Sequence, residues 1–157
     1  MHIRLIAVGA RQPGWVDKAF DEYSNRLPKQ WRFTLRTLPV AKRGRSGGTA
    51  ATGIGVEEQG ILAAIKPDDQ VVLLDEQGEQ NGSRDLAVKL QGWLGDGRDL
   101  AFIIGGPDGV SEAIRKRADY CLALSRMTLP HGLVRVLFAE QLYRAWAIST
   151  GHPYHRD

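Results

Sequence analysis

Two runs in the middle of this 157-residue chain, residues 71–74 (VVLL) and 100–104 (LAFII), contain no polar side chain. A strand with one face in water alternates apolar and polar positions. A strand without that alternation needs cover on both faces, as in a parallel sheet with helices above and below. Residues 3–8 (IRLIAV) form a similar β-rich run closed by Gly9, and 120–124 a last one. Residues 32–38 differ, setting Phe33, Leu35 and Thr37 against Arg32, Thr34 and Arg36, the pattern of a strand with one wet face at a sheet edge. These five runs alternate with helical patterns, which predicts an α/β fold with a mostly parallel sheet flanked by helices.

Trp15, Ala19, Phe20 and Tyr23 share one helical face within 15–26, a helix expected to end at Pro28. Residues 57–66 read as a helix stopped by Pro67. Residues 76–83 read as a loop whose Asn81 or Ser83 caps a helix running to about Gly95. Ser111 caps a short helix, and 133–150 is the longest helical pattern in the chain. Residues 41–55, rich in glycine and small polar side chains, are expected to form a mobile loop. A chain of this length is expected to be one domain, residues 1–157, and needs neither disulfide nor structural metal to bury a core. Cys121 is the only cysteine, which removes a disulfide framework and a cysteine-based zinc cluster, and its apolar setting reads as core. The apolar runs are far shorter than the roughly 20 residues that span a bilayer. The amino-terminal run is too short for a secretory signal, so the expected location is cytoplasmic with no membrane partner.

Charge is unevenly distributed. Residues 23–56 hold seven basic side chains (Arg26, Lys29, Arg32, Arg36, Lys42, Arg43 and Arg45) and no acid, whereas 57–119 hold thirteen acids and seven bases. A basic block of this kind fits a polyanion, although a solvated surface has the same composition.

Two loops follow buried strands, where open α/β sheets collect ligands. The first is IIGGPDG, in which Gly105 and Gly106 let the backbone approach a ligand and Pro107 stiffens the turn. It is neither a dinucleotide fingerprint nor a P-loop. The second is Ser125, Arg126, Met127, Thr128, Leu129 and Pro130, which could form an apolar, hydrogen-bonding slot for a purine; the plainer reading is a connection whose Thr128 caps the next helix. The long helix carries Arg135, Glu140, Tyr143 and Arg144 among apolar residues. Arg135 and Arg144 are nine apart, about 180° around the helix, so they cannot both be buried on one face. The chain ends in GHPYHRD, suited to stacking on a base and gripping phosphate unless it is simply a frayed terminus. His152 and His155 lack neighbouring carboxylates to complete a metal site, so no metal is expected.

The segments LLDE (73–76), DGRDLAFIIGGPDG (96–109), LALSRMTLPHGLVRVLFAEQLYRAW (122–146) and HPYHRD (152–157), with IRLIAVG near the start and KRG at 42–44, resemble one family across essentially the whole chain. This is the SPOUT-class ribosomal RNA large subunit methyltransferase H family, which methylates N3 of a pseudouridine. The resemblance implies a trefoil-knotted α/β domain, a homodimer, S-adenosylmethionine as methyl donor, and 23S ribosomal RNA within the ribosome as partner. It puts the donor site on Leu74, Gly105, Gly106 and residues 125–130. Arg26, Lys29, Lys42, Arg43, Arg45, Tyr154 and Arg156 are then expected to meet RNA. His155 and Arg144 become candidates for managing the N3 proton, with Tyr143 and Tyr154 orienting or stacking on the base. Gly132 departs from the expected pattern, in which a bulkier or stiffer residue follows LPH. A non-catalytic ribosome-binding module and a flavodoxin-like nucleotide-binding domain are the alternatives; the first leaves the donor loops unexplained and the second the tail.

Overall fold

A computed structural model of the chain describes residues 1–9, 11–42 and 50–156. The elements are β1 (Ile3–Val8), α1 (Gly14–Ser24), β2 (Thr34–Leu38), α2 (Ala50–Ala64), β3 (Gln70–Gln80), α3 (Ser83–Gly95), β4 (Leu100–Ile104), α4 (Glu112–Arg117), β5 (Tyr120–Ala123) and α5 (His131–Thr150). The strands form one sheet in the order β2-β1-β4-β3-β5, and every pairing is parallel. The alternating run is indeed the edge strand β2, and the wholly apolar runs lie inside the sheet.

Alternate side chains of the inner strands enter two cores. Ile3, Leu5, Ala7, Val72, Leu74, Leu100, Phe102 and Ile104 pack with side chains of α1, α3 and α5. Ile6, Val8, Leu73, Ala101 and Ile103 pack with Ile61 and Ala64 of α2 and Ile114 of α4. Both faces are therefore covered, which is why these strands carry no polar alternation. The first core centres on Phe102 and Phe138, whose ring centroids are 4.6 Å apart. Truncating a buried phenylalanine of this kind to alanine costs about 3–5 kcal/mol.

Four expectations change. Helix α1 ends at Ser24, ahead of Pro28, with Asn25 as its cap. Helix α2 begins at Ala50, so 50–55 are helical and not loop; a Cβ on Gly53 would lie 3.6 Å from Ala41 and one on Gly60 3.5 Å from Leu38. These are ordinary contact distances, so the helix forms here despite the low helix propensity of glycine and without a packing requirement for it. Residues 43–49, which include Arg43 and Arg45, lie outside the described residues. Strand β3 continues through Asp75–Gln80 instead of turning into a loop. Beyond Leu74 it leaves β4, shifts register, and pairs only with β5 at Glu79 and Gln80. Gly78 is required there, because a Cβ would fall 2.7–2.8 Å from the Cys121–Leu122 backbone. Finally, α3 is capped by neither Asn81 nor Ser83: Gly82 is its N-cap, and Asp85 Oδ2 accepts from the Gly82 amide at 3.1 Å. Ser111 caps α4 as expected, its hydroxyl accepting from the Ile114 amide at 3.2 Å. Among the described residues no helix is long and apolar enough to cross a membrane, and no metal-binding cluster occurs.

Candidate active site

Beyond the carboxyl ends of β1, β4 and β5, beside β3 where it parts from β4, lies a cleft of about 790 Å³. That volume suits a nucleoside-sized ligand. Its apolar walls are Val8, Leu74, Ile104, Leu129 and Val134. Seven of the nine expected donor-site residues line it: Leu74, Gly105, Gly106, Ser125, Met127, Thr128 and Leu129. Arg126 and Pro130 do not; Arg126 is exposed, and Pro130 is the N-cap of α5.

The loop after β5 is held by hydrogen bonds. The Met127 amide donates to Ser125 Oγ at 3.0 Å, and the Thr128 hydroxyl donates to Glu76 Oε2 at 2.7 Å. Thr128 therefore does not cap α5, because it is drawn to the polar extension of β3. Asp75 and Arg115 form an ion pair at 2.8 Å on the cleft wall. The mixture of carboxylates, backbone groups and apolar wall fits S-adenosylmethionine, a ligand with a cationic sulfonium, a ribose diol and a purine.

Glycine at 106 has a different reason from the one expected. A Cβ there would meet the carboxylate of Glu57 at 2.5–3.0 Å, within the protein, instead of ligand space. Glu57 is buried, and its Oε1 accepts from the Ala41 amide at 3.1 Å, so α2 buttresses the turn. A Cβ on Gly132 would lie 2.7 Å from Gln12 Oε1 and 3.0 Å from Val16, so glycine lets α5 start close against α1.

One buried network was not anticipated. Arg135 is 2% exposed and donates to the Gly9 carbonyl and, from Nε, to His131 Nε2 at 3.2 Å. His131 lines the cleft and is hydrogen-bonded to the Gly105 backbone. Because Arg135 only donates, His131 Nε2 must accept and Nδ1 must carry the hydrogen. Burial, then Arg135, hold the imidazole below its usual pKa and neutral. These two residues join α5 to the ends of β1 and β4. The visible sequence signal was an arginine within an apolar helix pattern.

The carboxyl-terminal residues form a second constellation. Gly151, in the left-handed region at φ +68°, ends α5 in a Schellman turn, with the His152 amide on Ala147 O at 2.9 Å. The tail then folds back onto α5. Glu140 Oε1 accepts from Arg144 Nε at 2.9 Å, Arg144 Nη2 at 2.5 Å and the Tyr154 hydroxyl at 3.0 Å. Arg144 lies 4.8 Å over the Tyr154 ring, and the Tyr143 and Tyr154 centroids are 4.7 Å apart. His155 Nδ1 is 3.4 Å from Arg144 Nη1. The three catalytic candidates thus come together, pinned and not frayed, with Glu140 as a member that sequence reasoning left without a role. Tyr154 is pushed up to about 12 by burial and by its bond to Glu140.

The tail is remote from the cleft of its own chain. Arg144 lies 13 residues beyond His131 on one helix (144 minus 131), about 20 Å at 1.5 Å per residue. Arg26 joins the tail: it pairs with Glu22 and lies 5.9 Å over the Tyr143 ring. Lys29, Lys42 and Arg156 are exposed. Cys121 is half-buried at the edge of the second core, and burial raises its thiol pKa.

A family model described as "Predicted SPOUT methyltransferase" matches residues 1–155. The chain is 49% identical over 157 residues to a ribosomal RNA large subunit methyltransferase H of Laribacter hongkongensis, covering all of both chains. It is 47% identical over 157 residues to the protein of that name from Thioalkalivibrio sulfidiphilus, again over all of both. To the one from Burkholderia vietnamiensis it is 48% identical, over 99% of each chain.

Proposed function

The chain belongs to the SPOUT methyltransferase family, and from that membership we propose that it is a homodimeric enzyme methylating N3 of a pseudouridine in 23S ribosomal RNA on the ribosome. Acting as one domain, it would hold S-adenosylmethionine at Leu74, Gly105, Gly106 and the cleft-lining part of 125–130. When bound, the donor supplies a methyl already activated on sulfonium, so the protein's work is alignment and proton management.

The observation that carries this reading is the placement of the cleft and the tail cluster at opposite ends of α5. Leu133 and Leu137 stay 36% and 40% exposed, and with Glu140 and Arg144 they form one stripe at helical spacing. Leu142 is buried in the core of its own chain, and Trp146 and Ile148 pack against that core. A two-fold pairing of α5 helices along the Leu133–Leu137 stripe, about an axis perpendicular to them, runs them antiparallel. Each tail then arrives beside the cleft end of the partner's helix, about 20 Å away, a span its own subunit cannot close. Tyr154 and Arg156, with Lys29 and Lys42 and, outside the described residues, Arg43 and Arg45, supply base and phosphate contacts.

The test has two arms. Calorimetry should show binding of S-adenosylmethionine and none of ATP or FMN. Mass spectrometry of 23S RNA from ribosomes lacking the mark, incubated with enzyme and donor, should show one added methyl on a pseudouridine. Donor binding without any RNA methylation would overturn the substrate assignment.

A further inference from the structure

Four groups of the cluster formed by the tail and α5 have the chemistry to take a proton from a base: Glu140, His152, Tyr154 and His155. The structure sets a donor against Glu140, His152 and His155, and makes Tyr154 a donor itself. Glu140 Oε1 accepts from both Arg144 nitrogens and from Tyr154, and Oε2 from Gln141 Nε2 at 2.6 Å. Tyr154 has already committed its hydroxyl hydrogen to Glu140. The Tyr154 amide donates to His152 Nδ1 at 3.2 Å, so the hydrogen of that neutral ring is on Nε2. Arg144 has no acceptor, so at 3.4 Å His155 Nδ1 must accept from it, and His155 carries its hydrogen on Nε2 as well.

Resting on the methyltransferase reading above, we infer that this cluster serves N3 methylation as an array of hydrogen-bond donors that stabilises the deprotonated base through the carbonyl oxygens flanking N3, and not as a general base. His155 Nε2–H and the Arg144 guanidinium are the donors. Charge on an N3 anion is shared with its two flanking oxygens, where fixed donors in a water-poor site act most strongly. The N3 proton passes to solvent water or hydroxide. The N3 electron pair forms the new N–C bond, the C–S bond of the sulfonium breaks, and its electrons remain on sulfur. The groups facing the cluster agree with this polarity. Arg26, just past the end of α1, lies over Tyr143; Tyr23 and Glu22 of α1 flank it, and Glu140 is the carboxylate on α5, already engaged by its four donors. Tyr154 is held protonated well past neutrality, as a donor requires.

Two measurements on the full-length protein test this. The first is independent of turnover: long-range proton–nitrogen spectra of the histidine rings should show His152 and His155 as Nε2–H tautomers. An Nδ1–H form of His155 overturns the inference. The second is the pH dependence of single-turnover methylation on ribosomes lacking the mark. A donor array gives a rate that climbs through neutrality into the alkaline range, where the imide itself ionises, whereas an imidazole base flattens the profile around neutral pH. His155→Gln retains an N–H at the Nε2 position and should stay within about tenfold of wild type, while His155→Phe should lose about 100-fold or more, the usual effect of removing one oxyanion donor. Equal loss in both variants, with donor binding intact, or a wild-type plateau near neutrality, counts against the array. Failure of the wild-type protein to methylate ribosomes would instead count against the methyltransferase reading, and leaves the tautomer result to stand or fall by itself.

Discussion

Gly106 and His131 illustrate how single residues shape the cleft from behind. A valine at 106 would push into the Glu57 carboxylate, which is 8% exposed and tied to the Ala41 amide. Overpacking of this kind costs about 1–3 kcal/mol, so Gly106→Val is expected to weaken S-adenosylmethionine binding by about tenfold or more while the fold persists. Calorimetry on the single variant and on Gly106→Val combined with Glu57→Ala checks the cause, because relieving the clash should restore part of the affinity. His131 makes a prediction in pH. Burial and Arg135 depress its pKa below the ordinary 6.5, so between those two values the unfolded chain binds more protons than the folded one. Stability is therefore complete above 6.5 and falls as pH drops through the folded value. His2, also depressed by burial, acts in the same direction. Urea midpoints between about pH 7 and pH 5 should decline, and less steeply in His131→Asn, which keeps a donor for Gly105 and does not titrate.

At the scale of elements, α5 does two jobs along one stripe: its first turns expose leucines, and its last turns hold the tail. If α5 pairs with α5 as proposed, Leu137→Asp places a charge in that apolar contact, leaving it buried and uncompensated. It should shift the protein to monomer in sedimentation and lower methylation, with S-adenosylmethionine still bound because the cleft lies within one chain. Removing 154–157 should do the reverse, leaving dimer and donor binding near normal while methyl transfer collapses, if the lost groups serve the base and not the donor pocket as proposed. Donor titration and single-turnover methylation on the truncated protein decide it, and near-normal turnover would remove the tail from the mechanism. The elements also show where polarity misleads. Residues 76–80 are polar and glycine-containing and read as loop, yet they continue β3. Pairing there is with β5 alone, so no second core demands apolar side chains.

For the whole molecule, the basic block predicts salt-dependent association. Lys29, Arg32, Arg36 and Lys42 are exposed, while Arg26 is engaged by Glu22 and two tyrosine rings. If those four meet single-stranded phosphates, log affinity for ribosomes should fall against log salt with a slope of about −3, at about −0.7 per phosphate. A flat response returns the block to an ordinary solvated surface. The sequence alone determined the layers of this protein: 71–74 and 100–104 contain no polar residue, and burial on both faces follows from that local pattern. It also marked the loops after β4 and β5, because strand-end glycines and backbone-rich turns are local signals. The tertiary structure decided what depends on distant partners. Glu57 reaches Gly106 from 49 positions away, Arg135 meets Gly9 across 126, and Glu140 gathers Arg144 and Tyr154 only because Gly151 turns the chain back. Hydrogen-bond direction is fixed by which atoms meet, so the donor role proposed for His155 rests on a contact with Arg144 that only the folded chain makes.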